Sequence, residues 1–199
     1  MRFLFYFLLV FFFTSCQNGK EPLLGETEYQ RNKNASFKDA TKSPLSKADR
    51  KKFKGLSFFP FDSSYVIQAQ LKKIPNSEWF QMKTTTDRST KERVYGVLSF
   101  RLRGNPYSLH VYQGEEHLNS EDLKDYLFLP FLDLTNGNES YGGGRYIDLK
   151  ISESDYIIID FNKAYNPYCV YNDKFSCPIV PRINFLNTEI RAGEMNYEK

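Results

Sequence analysis

Apolar side chains recur at every second position through much of the chain between residues 65 and 162, the period of strands covered on one face. In residues 65–71, Tyr65, Ile67, Ala69 and Leu71 share a face. In residues 79–86 the alternation puts Phe80 and Met82 together. Residues 94–103 and 107–113 flank Gly104-Asn105, a two-residue hairpin signal. A turn closed there sets Arg103 opposite Pro106 and Arg101 opposite Ser108. It gathers Val94, Leu98, Phe100 and Leu102 with Tyr107, Leu109 and Val111, and leaves Ser99, Arg101, Arg103, Ser108 and His110 on the solvated face. Residues 126–134 are almost wholly apolar, as in a strand buried on both faces, with Pro130 marking a bulge or an unpaired side. Residues 56–61, broken by Pro60, read as a short edge strand, and residues 188–191 as a last strand. Helical signals lie only near the N-terminus. Ser43 or Ser46 is placed to cap, Pro44 suits a first helical position, and Asp49 stands three after Ser46. One short helix is expected there, ending near Phe53 with Gly55 beyond it. Residues 26–39 carry a weaker helical pattern presenting Tyr29 and Phe37. The pattern predicts a mainly β, antiparallel, barrel-like or sandwich domain of about eight strands with a short N-terminal helical segment.

The first residues are of another kind. Arg2 precedes an apolar run from Phe3 to Phe13 and then Thr14-Ser15-Cys16. The run is too short to span a bilayer of about 30 Å but fits the core of a secretory signal. Its end resembles a bacterial lipoprotein signal, in which the cysteine is lipidated and becomes the first residue. The expected organisation is a signal peptide at 1–15, a lipid-anchored tether with a weak helix at 16–42, and one β-rich domain at 43–199. The protein would then sit in the cell envelope, lipid-anchored to a membrane on the periplasmic or outer-membrane face. The net charge is +3, with lysines and arginines dispersed among acids, which speaks against a nucleic-acid groove. The chain has 2 histidines, too few for a His-rich zinc site, and a Ser-His-Asp triad has little to draw on. His110 falls on a solvated face, and His117 in a polar loop is given no role. Neither a P-loop nor a dinucleotide fingerprint is present, so no metal or cofactor is expected.

The densest chemistry lies between residues 141 and 178. Tyr141-Gly142-Gly143-Gly144-Arg145-Tyr146 reads first as a bulge or turn that needs glycine, and second as a backbone cradle for an anion. Residues 145–151 and 156–162, joined by Ser152-Glu153-Ser154-Asp155, suggest a hairpin with Ile151 opposite Tyr156. That register puts Ile147 opposite Asp160 and Arg145 opposite Asn162. Arg145 and Asp160 would be diagonal neighbours about 7–8 Å apart, either a structural ion pair or the polar end of a pocket. The ligand-binding candidates are therefore Tyr141, Gly143, Arg145, Tyr146, Asp160, Asn162, Tyr165 and Asn166. Cys169 and Cys177 are disulfide candidates outside a reducing compartment; free thiols, a metal pair or a nucleophile are the rival readings.

Several of these motifs resemble one bacterial family. They are Phe53-Lys54-Gly55-Leu56 with Phe59-Pro60, Leu129-Pro130-Phe131 with Asp133 and Thr135-Asn136-Gly137, and Tyr141-Gly142-Gly143-Gly144-Arg145-Tyr146. Asp160-Phe161-Asn162-Lys163-Ala164-Tyr165-Asn166-Pro167 and Cys169 through Cys177-Pro178 complete the set. The chain is similar, over about residues 43–194, to domain of unknown function 1684, many of whose members are lipoproteins. The resemblance implies no activity, substrate or cofactor. The expected function is a non-catalytic, membrane-tethered module binding a small anionic or polyhydroxy ligand. The alternatives are a hydrolase or transferase using Asp160 with Arg145, or a scaffold.

Overall fold

The computed structural model describes residues 24–198, so the signal and the lipidation candidate Cys16 lie outside the described residues. Its centre is a curled antiparallel half-barrel sheet. Strands β1 (Val66–Lys73), β2 (Trp79–Lys83), β3 (Ser89–Leu102), β4 (Asn105–Gly114), β5 (Tyr126–Asp133), β6 (Arg145–Lys150), β7 (Tyr156–Asp160) and β8 (Phe185–Leu186) form it. The order is β6-β5-β4-β3-β1-β7, with β2 added to β3 and the short β8 lying parallel to β5.

Two-residue alternation selects the inner face. Ile67, Ala69 and Leu71 from β1 meet Leu98 and Phe100 from β3, Leu109 and Val111 from β4, and Leu127, Leu129 and Phe131 from β5. The β3–β4 turn closes at Arg103-Gly104, both with positive φ (50° and 82°), one residue before the expected site. Arg101 therefore faces Pro106, not Ser108. Moving a turn by one residue shifts the register by two, so every side chain keeps its face and the predicted core survives. Val94 does not, because the pairing shifts between Val94 and Gly96 and the irregularity turns Val94 to the outer face.

Pro130 has no N–H to give its neighbour, and the Asn184 side chain fills the gap. The His110 N–H donates to Asn184 Oδ1 at 2.8 Å, while Asn184 Nδ2 donates to the carbonyls of His110 (2.8 Å) and Pro130 (2.6 Å). A buried side chain thus completes the backbone pairing that proline interrupts.

Both helical signals form helices. Helix α1 (Glu28–Lys38) starts at a capping box, with the Gln30 N–H donating to Thr27 Oγ1 and the Gln30 side chain accepting from the Thr27 N–H. It buries Phe37 edge-on against Tyr171 at 4.8 Å. Asn34 fastens it to the body by accepting from the Leu56 N–H at 2.7 Å. In helix α2 (Lys47–Lys52) Ser46 is the cap, taking the Asp49 N–H at 3.1 Å, and Pro44 lies before the helix. Residues 56–61 form no strand; Phe58 makes one isolated bridge, to Glu194.

The largest departure concerns β6 and β7. They are consecutive in the chain but do not form a hairpin. β6 pairs with β5, and β7 with β1 in the register Ile67↔Ile159 and Ala69↔Ile157. Residues 152–155 carry the chain from one edge of the curled sheet to the other. Tyr156-Ile157-Ile158-Ile159 is apolar at both parities, so alternation alone had no basis for choosing a face. Pairing with β1 turns Ile157 and Ile159 inward and leaves Ile158 55% exposed.

Candidate functional site

Arg145 follows Gly144, whose φ is +89° and whose Cβ, were there one, would stand 2.6 Å from the Phe131 carbonyl oxygen. The glycine run is thus a structural device that lets the chain enter β6 against β5. Arg145 is fully buried. Its Nη2 donates to Asp133 Oδ2 at 2.9 Å and to the Ile190 carbonyl at 2.7 Å, and its Nη1 to the carbonyls of Ala192 and Glu194. The rings of Phe59 and Phe131 flank the guanidinium.

Asp160 is elsewhere. It caps the turn Phe161–Lys163, accepting the Asn162 N–H at 3.1 Å and Asn162 Nδ2 at 3.0 Å, with Lys163 Nζ at 3.4 Å. Asn162 also exchanges two hydrogen bonds with the backbone of Asp62. The expected Arg145–Asp160–Asn162 constellation therefore does not exist. The assumed hairpin is absent, and Arg145 takes Asp133 as its partner. Asn166 is buried, bonded through its N–H to Glu194 Oε2 and through Nδ2 to the Met195 carbonyl. Gly143 is exposed, and Tyr141, half-buried, stands beside the two cysteines.

Four of the eight candidates line shared spaces: Asp160 and Asn162 a groove beside α1 with Tyr29 and Phe61, and Tyr146 and Tyr165 a cleft on the outer face of the sheet. Met82, Tyr112, Phe128 and Tyr146 form a second apolar cluster there. The segment after Asn162 folds back over it. Tyr165 and Tyr146 exchange both backbone hydrogen bonds at 2.9 Å, the Tyr146 hydroxyl donates to the Pro178 carbonyl, and the Ile179 N–H bonds the Lys83 carbonyl at 2.8 Å. Between this segment and the sheet is a cleft of about 350 Å³. Its walls include Tyr126, Phe128, Tyr146, Tyr165, Tyr168 and Phe175.

The polar groups of the cleft fall into two sets. Asp148 Oδ1 accepts from the hydroxyls of Tyr126 (2.8 Å) and Tyr165 (2.5 Å). Burial first, then nearby negative charge, holds both phenols above their usual range, so both remain donors. Lys33, from α1, sets its ammonium 4.2 Å from the centroid of the Tyr165 ring. The second set is Glu92 and His117. Glu92, on β3, is 5% exposed and lies opposite Gly114. His117 ends the turn Glu115–His117 and meets the Tyr126 ring edge-on at 4.9 Å. A Cβ on Gly114 would fall 3.2 Å from both Glu92 Oε1 and His117 Nδ1, so the bare glycine leaves room for the two groups to converge. Glu92 Oε2 and His117 Nδ1 are buried without a hydrogen bond of full geometry among the described residues, although the Thr90 hydroxyl lies close enough to Glu92 to favour its charged form. His117, to which the sequence assigned no role, thus borders the cleft.

Burial pushes the Glu92 carboxyl up to about 7, against the Thr90 hydroxyl, which lowers it; the nearby Glu116 adds to the rise. The folded value thus exceeds the unfolded one of about 4.3. The folded protein then holds a proton that the unfolded chain has lost. Stability from this group is complete below about pH 4, falls as pH rises through 7, and levels off above. Glu92→Gln is expected to match the parent near pH 4 and to exceed it at pH 8 by about 2 kcal/mol, after allowance for partial solvation. Urea midpoints at the two pH values check this, and a difference independent of pH would contradict it.

A curled half-barrel sheet whose outer face holds a tyrosine-lined cleft is the class of protein these features define. The profile of the family described as "Protein of unknown function (DUF1684)" matches residues 51–195, and the chain belongs to that family. A solution NMR structure of an uncharacterized protein from Haloarcula marismortui is similar, with 36% identity, a TM-score of 0.65, and coverage of 83% of this chain and 89% of that one. No curated protein matches the chain.

Proposed function

We propose that the protein is a binding module for a polyhydroxylated ring ligand of the saccharide class, held in the tyrosine cleft. The observation carrying this reading is a cleft whose aromatic walls are interrupted by the polar residues Lys33, Glu92, His117 and Asp148. Ligand hydroxyls, which both donate and accept, satisfy a carboxyl and an imidazole together, while the rings cover the ligand's apolar faces. The anionic alternative loses support because the guanidinium on which it rested is spent on Asp133. The terminal Arg2, apolar run and Thr14-Ser15-Cys16 support a lipid anchor that holds this module in the cell envelope.

The test is a thermal-stabilisation screen of mono- and oligosaccharides, with nucleotides and carboxylates as comparators, followed by calorimetry. At least one saccharide is expected to bind, with affinity about tenfold weaker for Asp148→Ala and for Tyr165→Ala. Binding only of anions, or binding unaffected by either change, would refute the reading. A second reading has one observation in its favour: a carboxyl titrating near neutrality beside an imidazole is an acid–base pair. Saccharide hydrolysis that disappears in Glu92→Gln while binding persists would select it.

A further inference from the structure

We propose that Cys169 and Cys177 form a peroxide-reactive dithiol, with Cys169 the attacking sulfur and Cys177 the resolving one. Nothing in the saccharide reading requires this pair. Cys169 sits on the turn Tyr168–Val170 and is partly buried, whereas Cys177 is buried, and both are free thiols in the structure. The Cys169 N–H donates to Cys177 Sγ at 3.1 Å, so the second sulfur lies directly against the backbone of the first. Cys177 is fixed on the other side. Its N–H donates to Thr85 Oγ1 at 3.1 Å and its carbonyl accepts the Thr85 N–H at 2.9 Å. The neighbouring Ser176 hydroxyl bonds those of Thr84 and Thr86.

This placement separates two roles. Cys169 is the more accessible of the two to a small oxidant; Cys177, 6% exposed, borders the floor of the cleft and lies against its partner. The environment also differs between them. A hydrogen bond from the Cys177 thiol lowers Cys169 to about 6, against burial, and the Thr85 hydroxyl and the backbone N–H groups of residues 169 and 170 add to the lowering. The same bond, with burial, pushes Cys177 up. The shared hydrogen bond thus favours ionisation of one sulfur with the other as its donor, and the more accessible Cys169 is the sulfur it favours.

The chemistry closes with a hydroperoxide as co-reactant. The Cys169 thiolate attacks the outer oxygen of ROOH; an S–O bond forms, the O–O bond breaks, and the leaving alkoxide takes up a proton as ROH. Cys169 is now a sulfenic acid. The Cys177 sulfur attacks it, the S–S bond forms, and hydroxide leaves with the thiol proton as water. The sum is two thiols and one ROOH giving one disulfide, ROH and water. An external dithiol reductant restores the pair.

The test uses the full chain, reduced and then freed of reductant, with hydrogen peroxide as the oxidant. Adducts are located by peptide mass spectrometry, so that Cys16 is counted separately. Cys169 is expected to alkylate at pH 7 roughly tenfold faster than an ordinary cysteine. One equivalent of peroxide is expected to convert the pair to a disulfide that dithiothreitol reopens in the folded protein. In Cys177→Ser, or in Cys177→Ala should the first fold poorly, a dimedone adduct is expected to accumulate on Cys169; in Cys169→Ser none is expected on Cys177. The proposal is overturned if Cys169 alkylates at the ordinary rate, if peroxide leaves both thiols intact, or if the resolving variant yields no adduct. A bridge that dithiothreitol cannot open without unfolding would equally overturn it, since the pair would then be a fixed crosslink.

Discussion

Arg145→Met is expected to destabilise the protein by about 3–5 kcal/mol, more than most single changes in a domain of this size. The reason lies in what remains. Asp133 is buried beside Arg145, and methionine, with similar volume, removes its counter-charge without letting water in. The carbonyls of Ile190, Ala192 and Glu194 lose their donors in the same step. Those three carbonyls belong to the C-terminal segment, so the change should loosen the path that places Glu194 under Asn166 and Tyr171. Arg145→Lys is expected to recover little, because one ammonium does not span a carboxylate and several carbonyls that a planar fork reaches together. The discriminating measurement is a double-mutant cycle by urea denaturation. Adding Asp133→Asn to Arg145→Met should restore about 1–2 kcal/mol, since the amide oxygen can still take the N–H groups of Thr135 and Ile190 while the unpaired charge is gone. If the two changes add instead, the buried charge is not what makes Arg145 necessary.

The same residue shows where reading the chain succeeds and where it stops. That Arg145 at the margin of an oily face needs an acidic partner follows from elementary electrostatics. Which acid it takes depends on strand order, and short-range pattern does not contain that. A four-residue link between β6 and β7 is as consistent with crossing the seam of a curled sheet as with turning a hairpin. In β3 and β4 the outcome was robust for a physical reason: a turn displaced by one residue preserves side-chain parity, so the inner face, Val94 beyond the bulge excepted, came out right with the wrong register. In β7 the isoleucines leave parity undefined, and the face came out reversed.

The cleft was only partly legible because it is assembled from α1, β3, the turn Glu115–His117, β5, β6 and the segment around residues 165–178. Tyr146 and Tyr165 stood out within one dense motif; Glu92, His117, Asp148 and Lys33 did not. One signal was available. Thr90, Glu92 and Val94 share a parity in a strand that begins at Ser89, so Glu92 is a carboxylate on a face otherwise used for packing. Starting the strand at Val94 hid it.

Gly193→Ala carries the second large expected effect, about 3 kcal/mol, through the backbone alone. Gly193 has φ +80°, which costs an L-residue about 1 kcal/mol or more. Its added Cβ would lie 2.5 Å from the Ala164 carbonyl oxygen and 2.8 Å from that of Phe161, contacts that no rotamer change relieves. The segment cannot simply retreat, because the Gly193 carbonyl accepts the Phe59 N–H at 3.0 Å and the next N–H, of Glu194, donates to Ala164 at 2.8 Å. Overpacking of this kind adds about 1–3 kcal/mol to the conformational cost. Gly104 supplies the internal control, since its φ of +82° is nearly the same but nothing lies within 4 Å of its Cβ position. Gly104→Ala should therefore cost only the conformational share, about 1 kcal/mol. Equal losses at the two sites, measured by urea unfolding, would mean that backbone conformation alone sets the requirement at Gly193 and that the close approach to Ala164 and Phe161 contributes nothing.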